Sequence, residues 1–426
     1  MRLLILNVHF SPATYGGATV VAEEVAQALR RDHGVQVFVI SAVSRGDLVP
    51  YAVMRVESLG MVHYMINLPH GLGALMSESN PHVAERVAGL VASIAPDLAH
   101  VHCIQELGAG CITALQAAGV PVILSVHDHW WLCERQFMMR PNGRFCGQDP
   151  IRIEACRGCV DDISRSRRRM ASLGAIAARC DRITYPSAYA MDLSLRSGLG
   201  HAAQSVIWTN GVRLPGPDFS VAQARHRAKQ GKLVFAHVGG PSDSKGWPVI
   251  KAAFTAIDRD GFELRLVNGS PWSNWWDGHD LTGLRGDVQV VPRFAQGQID
   301  DFYAEVDCLL FLSQWKETFG LTIREAISRG VRLIQTDSGG TVEHALADPA
   351  RLLPIGAPAS RLVSELTRVL DTPRDHPAPV AVLSYSDQAR SFMELAAQVL
   401  AERGRKGHSR KSSAVRLPGA MPISVT

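Results

Sequence analysis

Apolar residues fall along this chain in short runs that alternate with stretches of helical spacing. Arg2–Val8 is a run of leucine and isoleucine, Thr19–Arg31 is amphipathic at a helical period, and Val35–Ser41 is again an apolar run. Leu98–His102 and Pro121–Val126 read as further strands, with a helical stretch at Gly108–Ala118 between them. A second series starts near Lys232: strands at Leu233–Val238, Glu263–Val267, Val288–Val291, Cys308–Leu312 and Arg332–Gln335. Helical segments at Trp247–Asp258, Gln298–Val306 and Thr322–Arg329 separate them. Strand–helix alternation on this scale predicts parallel sheets covered by helices.

The Gly- and Pro-bearing stretch Asn210–Ser220 breaks the two series apart and reads as a linker. The expected organisation is a domain over 1–209, a linker over 210–231, a second domain over 232–384, a helix over 385–404 and a disordered basic tail over 405–426. At 426 residues the chain is long enough for two or three cores. No apolar run approaches the ~20 residues that span a bilayer. Asn7 and His9 interrupt the N-terminal apolar stretch, which argues for a buried first strand over a secretion signal. A cytoplasmic protein with reduced thiols is the expectation, free in solution or at the inner face of the plasma membrane. From Arg405 onward there are five basic residues and no acidic one, so the rest of the chain carries −1 of the formal +4. That argues against a dedicated nucleic-acid binder, whose basic charge covers a folded face.

The densest chemistry lies in Trp315–His344. Glu317 and Glu325 have seven residues between them, and Thr318-Phe319-Gly320 turns the chain from the first into the helix that bears the second. Such carboxylates accept hydrogen bonds from sugar and ribose hydroxyls. After the next strand, Gly339-Gly340-Thr341 would bring backbone amides towards a phosphate at a helical turn holding Glu343. Solvated carboxylates beside an ordinary capped loop are the plainer alternative.

This stretch resembles the E-x7-E and G-G-x-x-E signature of retaining glycosyltransferases of family 4, and the resemblance extends over most of residues 1–400. It implies the GT-B fold: two Rossmann-like domains facing each other across a cleft, with a C-terminal helix returning to the first. It implies a nucleotide diphosphate sugar as donor, retention at the anomeric carbon and no catalytic divalent metal; no Asp-x-Asp motif stands in either cleft segment. By the same resemblance Glu325 binds the donor ribose, Glu317 lies beside the donor sugar, and Gly339 and Gly340 lie near sugar and phosphates.

Further segments fit that frame. Gly16-Gly17, between the first strand and first helix, resembles the family's N-terminal glycine loop, near the donor phosphate and acceptor; a plain tight turn is the alternative. Lys245, in Gly239–Gly246, would neutralise a diphosphate as a point charge. The family carries Arg five residues earlier, where this chain has Gly240. His127, at the end of a strand, would contact the donor, or else pack against Asp128. Asn210-Gly211-Val212 resembles a structural turn of the family at the domain junction. The expected partners are a sugar nucleotide and a carbohydrate or lipid-linked acceptor of surface polysaccharide, lipopolysaccharide or glycolipid synthesis. An epimerase or phosphorylase of the same fold, or a non-catalytic binding protein, is the rival reading.

One region departs from the α/β rhythm. Between Cys133 and Cys159, Asn142-Gly143 signals a hairpin with arms at Gln136–Arg140 and Arg144–Phe145. Cys133 and Cys146 flank it, and Cys156 and Cys159 form a C-x-x-C pair. The four fit a closed structural zinc site; unligated cysteines are the alternative. The basic run Arg165–Arg169 is expected as a solvated helix face, or as a contact with anionic lipid. Trp272, Trp275 and Trp276 form an aromatic loop that would stack on a ligand or close the core.

Overall fold

The computed structural model describes residues 1–72, 78–229, 231–270, 273–373 and 376–413. In chain order the N-terminal half runs β1 (Arg2–Leu6), α1 (Gly17–His33), β2 (Gln36–Val43), β3 (Val53–Ser58), β4 (Met61–Asn67), α2 (Pro81–Ile94), β5 (Leu98–Val101), α3 (Gly110–Ala117), β6 (Val122–Ser125), α4 (Ile163–Ala177), β7 (Arg182–Tyr185), α5 (Ala188–Arg196) and β8 (Ser205–Ile207). These strands form one eight-stranded sheet ordered β3-β4-β2-β1-β5-β6-β7-β8. All its pairings are parallel except the β3–β4 hairpin. The central strands are buried and mostly apolar because helices cover both faces, which leaves no solvent side for polar alternation.

The second half runs α6 (Phe219–Ala228), β9 (Leu233–His237), α7 (Trp247–Ala256), β10 (Phe262–Val267), β11 (Asp287–Val291), α8 (Ile299–Ala304), β12 (Cys308–Phe311), α9 (Leu321–Ile327), β13 (Arg332–Gln335), α10 (Ala359–Asp371) and α11 (Tyr385–Ser413). Its five strands are all parallel, in the order β11-β10-β9-β12-β13. In each sheet the strand order reverses beside the first strand, β1 or β9. Open α/β sheets bind ligands at such switch points, outside the carboxyl ends of the strands.

Two expectations need correction. The stretch 210–231 is not all linker: it holds α6, whose Phe219 joins the core made by Ile299, Tyr303 and Leu309. The final helix is also longer than 385–404. It reaches Ser413, so residues 405–413 are helical, while 414–426 lie outside the described residues. Helix α11 returns to the N-terminal domain, where Phe392, Leu395 and Val399 pack with Val21 and Val25 of α1. Gly211 marks the crossing: its amide donates to Gln388 Oε1 at 2.7 Å, and a Cβ there would lie 2.4 Å from the Ser384 carbonyl oxygen. That close approach admits only glycine. No helix among the described residues is long and apolar enough to cross a membrane.

Candidate active site

The carboxyl ends of the two sheets meet. From the N-terminal domain, Gly16 starts α1 at φ +79°, and Gly17 lies so near Leu321, the first residue of α9, that a Cβ would come within 3.0 Å of its side chain. His102 follows β5 and His127 follows β6, and their rings share a hydrogen bond of 2.8 Å between Nδ1 and Nε2. Burial pushes the His127 imidazole down to about 4, so it is neutral at pH 7. Its alternative partner, Asp128, is engaged otherwise: it accepts from Gln105, Gln136 and the Trp130 amide.

From the C-terminal domain, the loop after β9 carries Lys245 and the loop after β12 carries Glu317. They pair at 2.7 Å, with Glu317 buried and Lys245 standing over the Trp315 ring. The Glu317 backbone is held from both sides, its amide donating to Ser338 O and its carbonyl accepting from Gly340 N. The two domains touch along the same segment. The Thr318 hydroxyl donates to His127 O at 2.6 Å, and His129 Nε2 lies 2.9 Å from Lys316 O. The structure thus brings Glu317, Lys245, His127, Gly16 and Gly17 to one interdomain region.

Glu325 is buried on α9, where burial raises its carboxyl to about 7 against the pull of Arg329. The Tyr303 hydroxyl is 3.5 Å away. Burial pushes the Tyr385 hydroxyl up, and the charges of Glu325 and of Glu24 on α1 add to the rise.

Gly339–Thr341 does more packing than the sequence suggested. The Gly340 amide is spent on Glu317, and the Thr341 hydroxyl pairs with that of Ser338 at 2.8 Å. A Cβ on Gly339 would strike the Tyr189 ring at 2.6 Å, so these glycines let the domains close upon each other.

Gly240, at the position of the expected arginine, sits at φ +71° beneath the Trp275 indole, and a Cβ would lie 2.5 Å from that ring. Gly269 faces the same ring at 2.3 Å by the same measure. Two glycines therefore clasp Trp275, and its ring fills the space a longer side chain would need. Trp276 is core, donating to Val267 O at 3.1 Å, while Trp272 lies outside the described residues. The Arg165–Arg169 run is mostly engaged within the protein: Arg169 is buried and donates to Trp130 O, and Arg165 and Arg167 pair with Glu134 and Glu154.

Sequence reasoning missed two groups, Arg324 and Glu23, and named a third, Glu343, without its partner. Buried Arg324 donates to the carbonyls of Phe319, Gly340, Thr341 and Glu343, tying the segments around Glu317 and Gly340 together. The Glu343 carboxylate crosses the cleft to accept from the Ala188 and Tyr189 amides at 3.0 and 2.6 Å, at the N-terminus of α5, where a negative charge is favoured. Glu23, held by Thr14 at 2.8 Å, is raised to about 7 by burial beside Gly16–Gly17. A salt-bridge pattern in the sequence finds none of these, because every partner is a backbone group or lies in another segment.

Two Rossmann-like domains joined edge to edge across a cleft, with the last helix returning to the first domain, define the GT-B fold. Solved structures agree over nearly the whole chain. Sucrose-phosphate synthase (tll1590) from Thermosynechococcus elongatus matches with a TM-score of 0.61 at 16% identity, covering 97% of this chain and 99% of that one. Anabaena Alr3699/HepE in complex with UDP and glucose matches with a TM-score of 0.59 at 17% identity, covering 97% and 100%. The catalytic domain of Starch Synthase IV from Arabidopsis thaliana, bound to ADP and acarbose, matches with a TM-score of 0.56 at 13% identity, covering 94% and 99%. No curated protein sequence matches significantly. Residues 15–214 match the family model for Glycosyltransferase Family 4, and residues 218–376 that for Glycosyl transferases group 1. The chain is a two-domain glycosyltransferase of the GT-B fold.

Proposed function

We propose that the protein moves a sugar from a nucleoside diphosphate sugar to a hydroxyl acceptor, with retention at the anomeric carbon and without a catalytic divalent metal. The observation that carries this reading is the Lys245–Glu317 pair, set where both sheets end and bound through its neighbours to His127. In this reading Lys245 neutralises the diphosphate as it leaves, and Glu317 and neutral His127 orient the sugar. Glu325 holds the ribose, and Gly16 and Gly17 admit the acceptor. Closure of the domains excludes water that would hydrolyse the donor. Solved neighbours in complex with UDP-glucose or with ADP support a sugar nucleotide as donor. The acceptor is a glycan or lipid-linked hydroxyl of surface polysaccharide or glycolipid synthesis, reached from the cytoplasmic side of the membrane.

The absence of an arginine at Gly240 favours one rival, a protein that binds sugar nucleotides without transferring them. A thermal-shift series with UDP, GDP and ADP and their glucose conjugates, followed by product analysis, separates the readings. A ligand at 100 times its dissociation constant adds about 2.7 kcal/mol. One nucleotide series is expected to stabilise the chain, and Glu325→Ala to abolish that shift. No shift with any nucleotide would overturn the donor site. Binding without transfer to any acceptor would leave the binding protein, and a changed sugar on the nucleotide would reveal an epimerase.

A further inference from the structure

Residues 133–159 are short of core. Met138, Ile151 and Cys156 are their buried side chains, and the regular backbone structure described there amounts to the bridges Met139–Phe145 and Arg157–Val160 and one turn of 3-10 helix at Ile153–Cys156. The Asn142-Gly143 turn forms as expected, with the Arg140 amide donating to Arg144 O at 2.8 Å and Gly143 at φ +75°. Segments with so little apolar burial are commonly stapled by a disulfide or a metal.

All four cysteines of this insert line one small cavity, together with Met138 and Ile151. None is in a disulfide. The backbone around them is turned towards sulfur. Cys133 accepts from the amides of Arg135 and Met138, and Cys146 from that of Gln148. At the C-x-x-C pair the Cys159 amide donates to Cys156 O at 2.9 Å, with Gly158 at φ +78° closing the turn. As they stand, no three His, Cys, Asp or Glu side chains among the described residues are arranged to hold a metal ion. Binding therefore requires the four side chains that line the cavity to re-orient about it, and three of them, Cys133, Cys146 and Cys159, are only partly buried.

The insert also reaches the cleft. The Phe137 ring packs on Trp315 at 4.9 Å, and Gly143 lies beside Asp243 in the loop that carries Lys245. We propose that Cys133, Cys146, Cys156 and Cys159 form a tetrathiolate zinc site that fixes this insert as one wall of the cleft. Zinc suits four soft ligands in tetrahedral array, and four protein ligands leave no open position, so the role is structural. Each thiol releases its proton to solvent as it binds.

The test uses the full chain, purified without chelators, reconstituted with zinc and separately with cobalt. About one zinc per chain is expected by elemental analysis. The cobalt form should show tetrahedral d–d bands and thiolate charge transfer. Cys156→Ser with Cys159→Ser should bring zinc to background. Trypsin should cut the stripped chain after the exposed Arg144 at least tenfold faster than the zinc-loaded chain. Wild-type chain that holds no zinc after reconstitution, gives cobalt spectra without thiolate bands, or shows these cysteines paired as disulfides by mass spectrometry would overturn the proposal.

Discussion

In the N-terminal domain the groups beyond β5 and β6 are imidazoles, packed ring on ring and stripped of charge by burial; in the C-terminal domain the loops beyond β9 and β12 carry an ion pair. His100 and His102 lie at the end of the first sheet with ring centroids 4.0 Å apart, and burial pushes His100 down to about 3. Lys245 and Glu317 face each other at 2.7 Å at the end of the second. One scaffold thus supplies a neutral edge and a charged edge. A phosphate leaving group needs the charged one, while a sugar, which is polar but neutral, can lie against the other without desolvating an ion.

Removing the charge is the most damaging way to test that contrast. Lys245→Met should lower kcat/KM by about 100-fold, close to 3 kcal/mol of transition-state stabilisation. Adding Glu317→Gln should cost much less than a second factor of that size, because the two side chains act as a unit. Steady-state kinetics with the donor found by thermal shift measure both, and two independent losses would break the pairing. The neutral edge is probed by acid. The folded pKa of His100 is depressed, so its contribution is present above the unfolded value near 6.5 and is lost as pH falls towards 3. Between pH 7 and pH 5 that single group should account for about 2 kcal/mol of lost stability. In denaturant titrations His100→Gln should lose correspondingly less than wild type over the same interval; an unchanged slope would mean the ring is charged in the fold. The smallest effect concerns the bond between the halves. Glu343→Ala removes the carboxylate at the start of α5, and an exposed charge at a helix N-terminus is worth about 0.3–1 kcal/mol. Melting should barely move, while X-ray scattering of the nucleotide-free chain should show a more open pair of domains.

How much of this was visible beforehand follows from where each signal lives. The strands β1, β2, β5, β6 and β9–β13 are apolar runs bounded by turn residues, so periodicity alone finds them to within a residue or two. The hairpin β3–β4 escaped because its residues at the sheet edge alternate between half-buried and exposed and look like loop. The Arg165–Arg169 run is helical as expected, within α4, but its face is not all solvated: Arg169 is buried against Trp130. In the site, Glu317, Lys245 and His127 were legible because loops after strands are where an open sheet puts its ligand groups. Arg324 was not, since a charged residue on a helix reads as solvent-facing until the carbonyls it satisfies are known. Nor was the reason for Gly240. The tryptophan that needs the space lies thirty-five positions along the chain, beyond any local pattern.

Helix α11 bears on how the protein is made. Its Phe392 and Ala396 are fully buried against the face of the first sheet that α1 also covers, and the Trp208 indole donates to Gln388 O at 3.1 Å. That first layer cannot close until α11 has left the ribosome, because synthesis runs from the N-terminus. During translation the exposed face of α1 and β1 would be open to chaperones and to other nascent chains. A message truncated before residue 385 would yield two sheets, one of them permanently missing part of its cover.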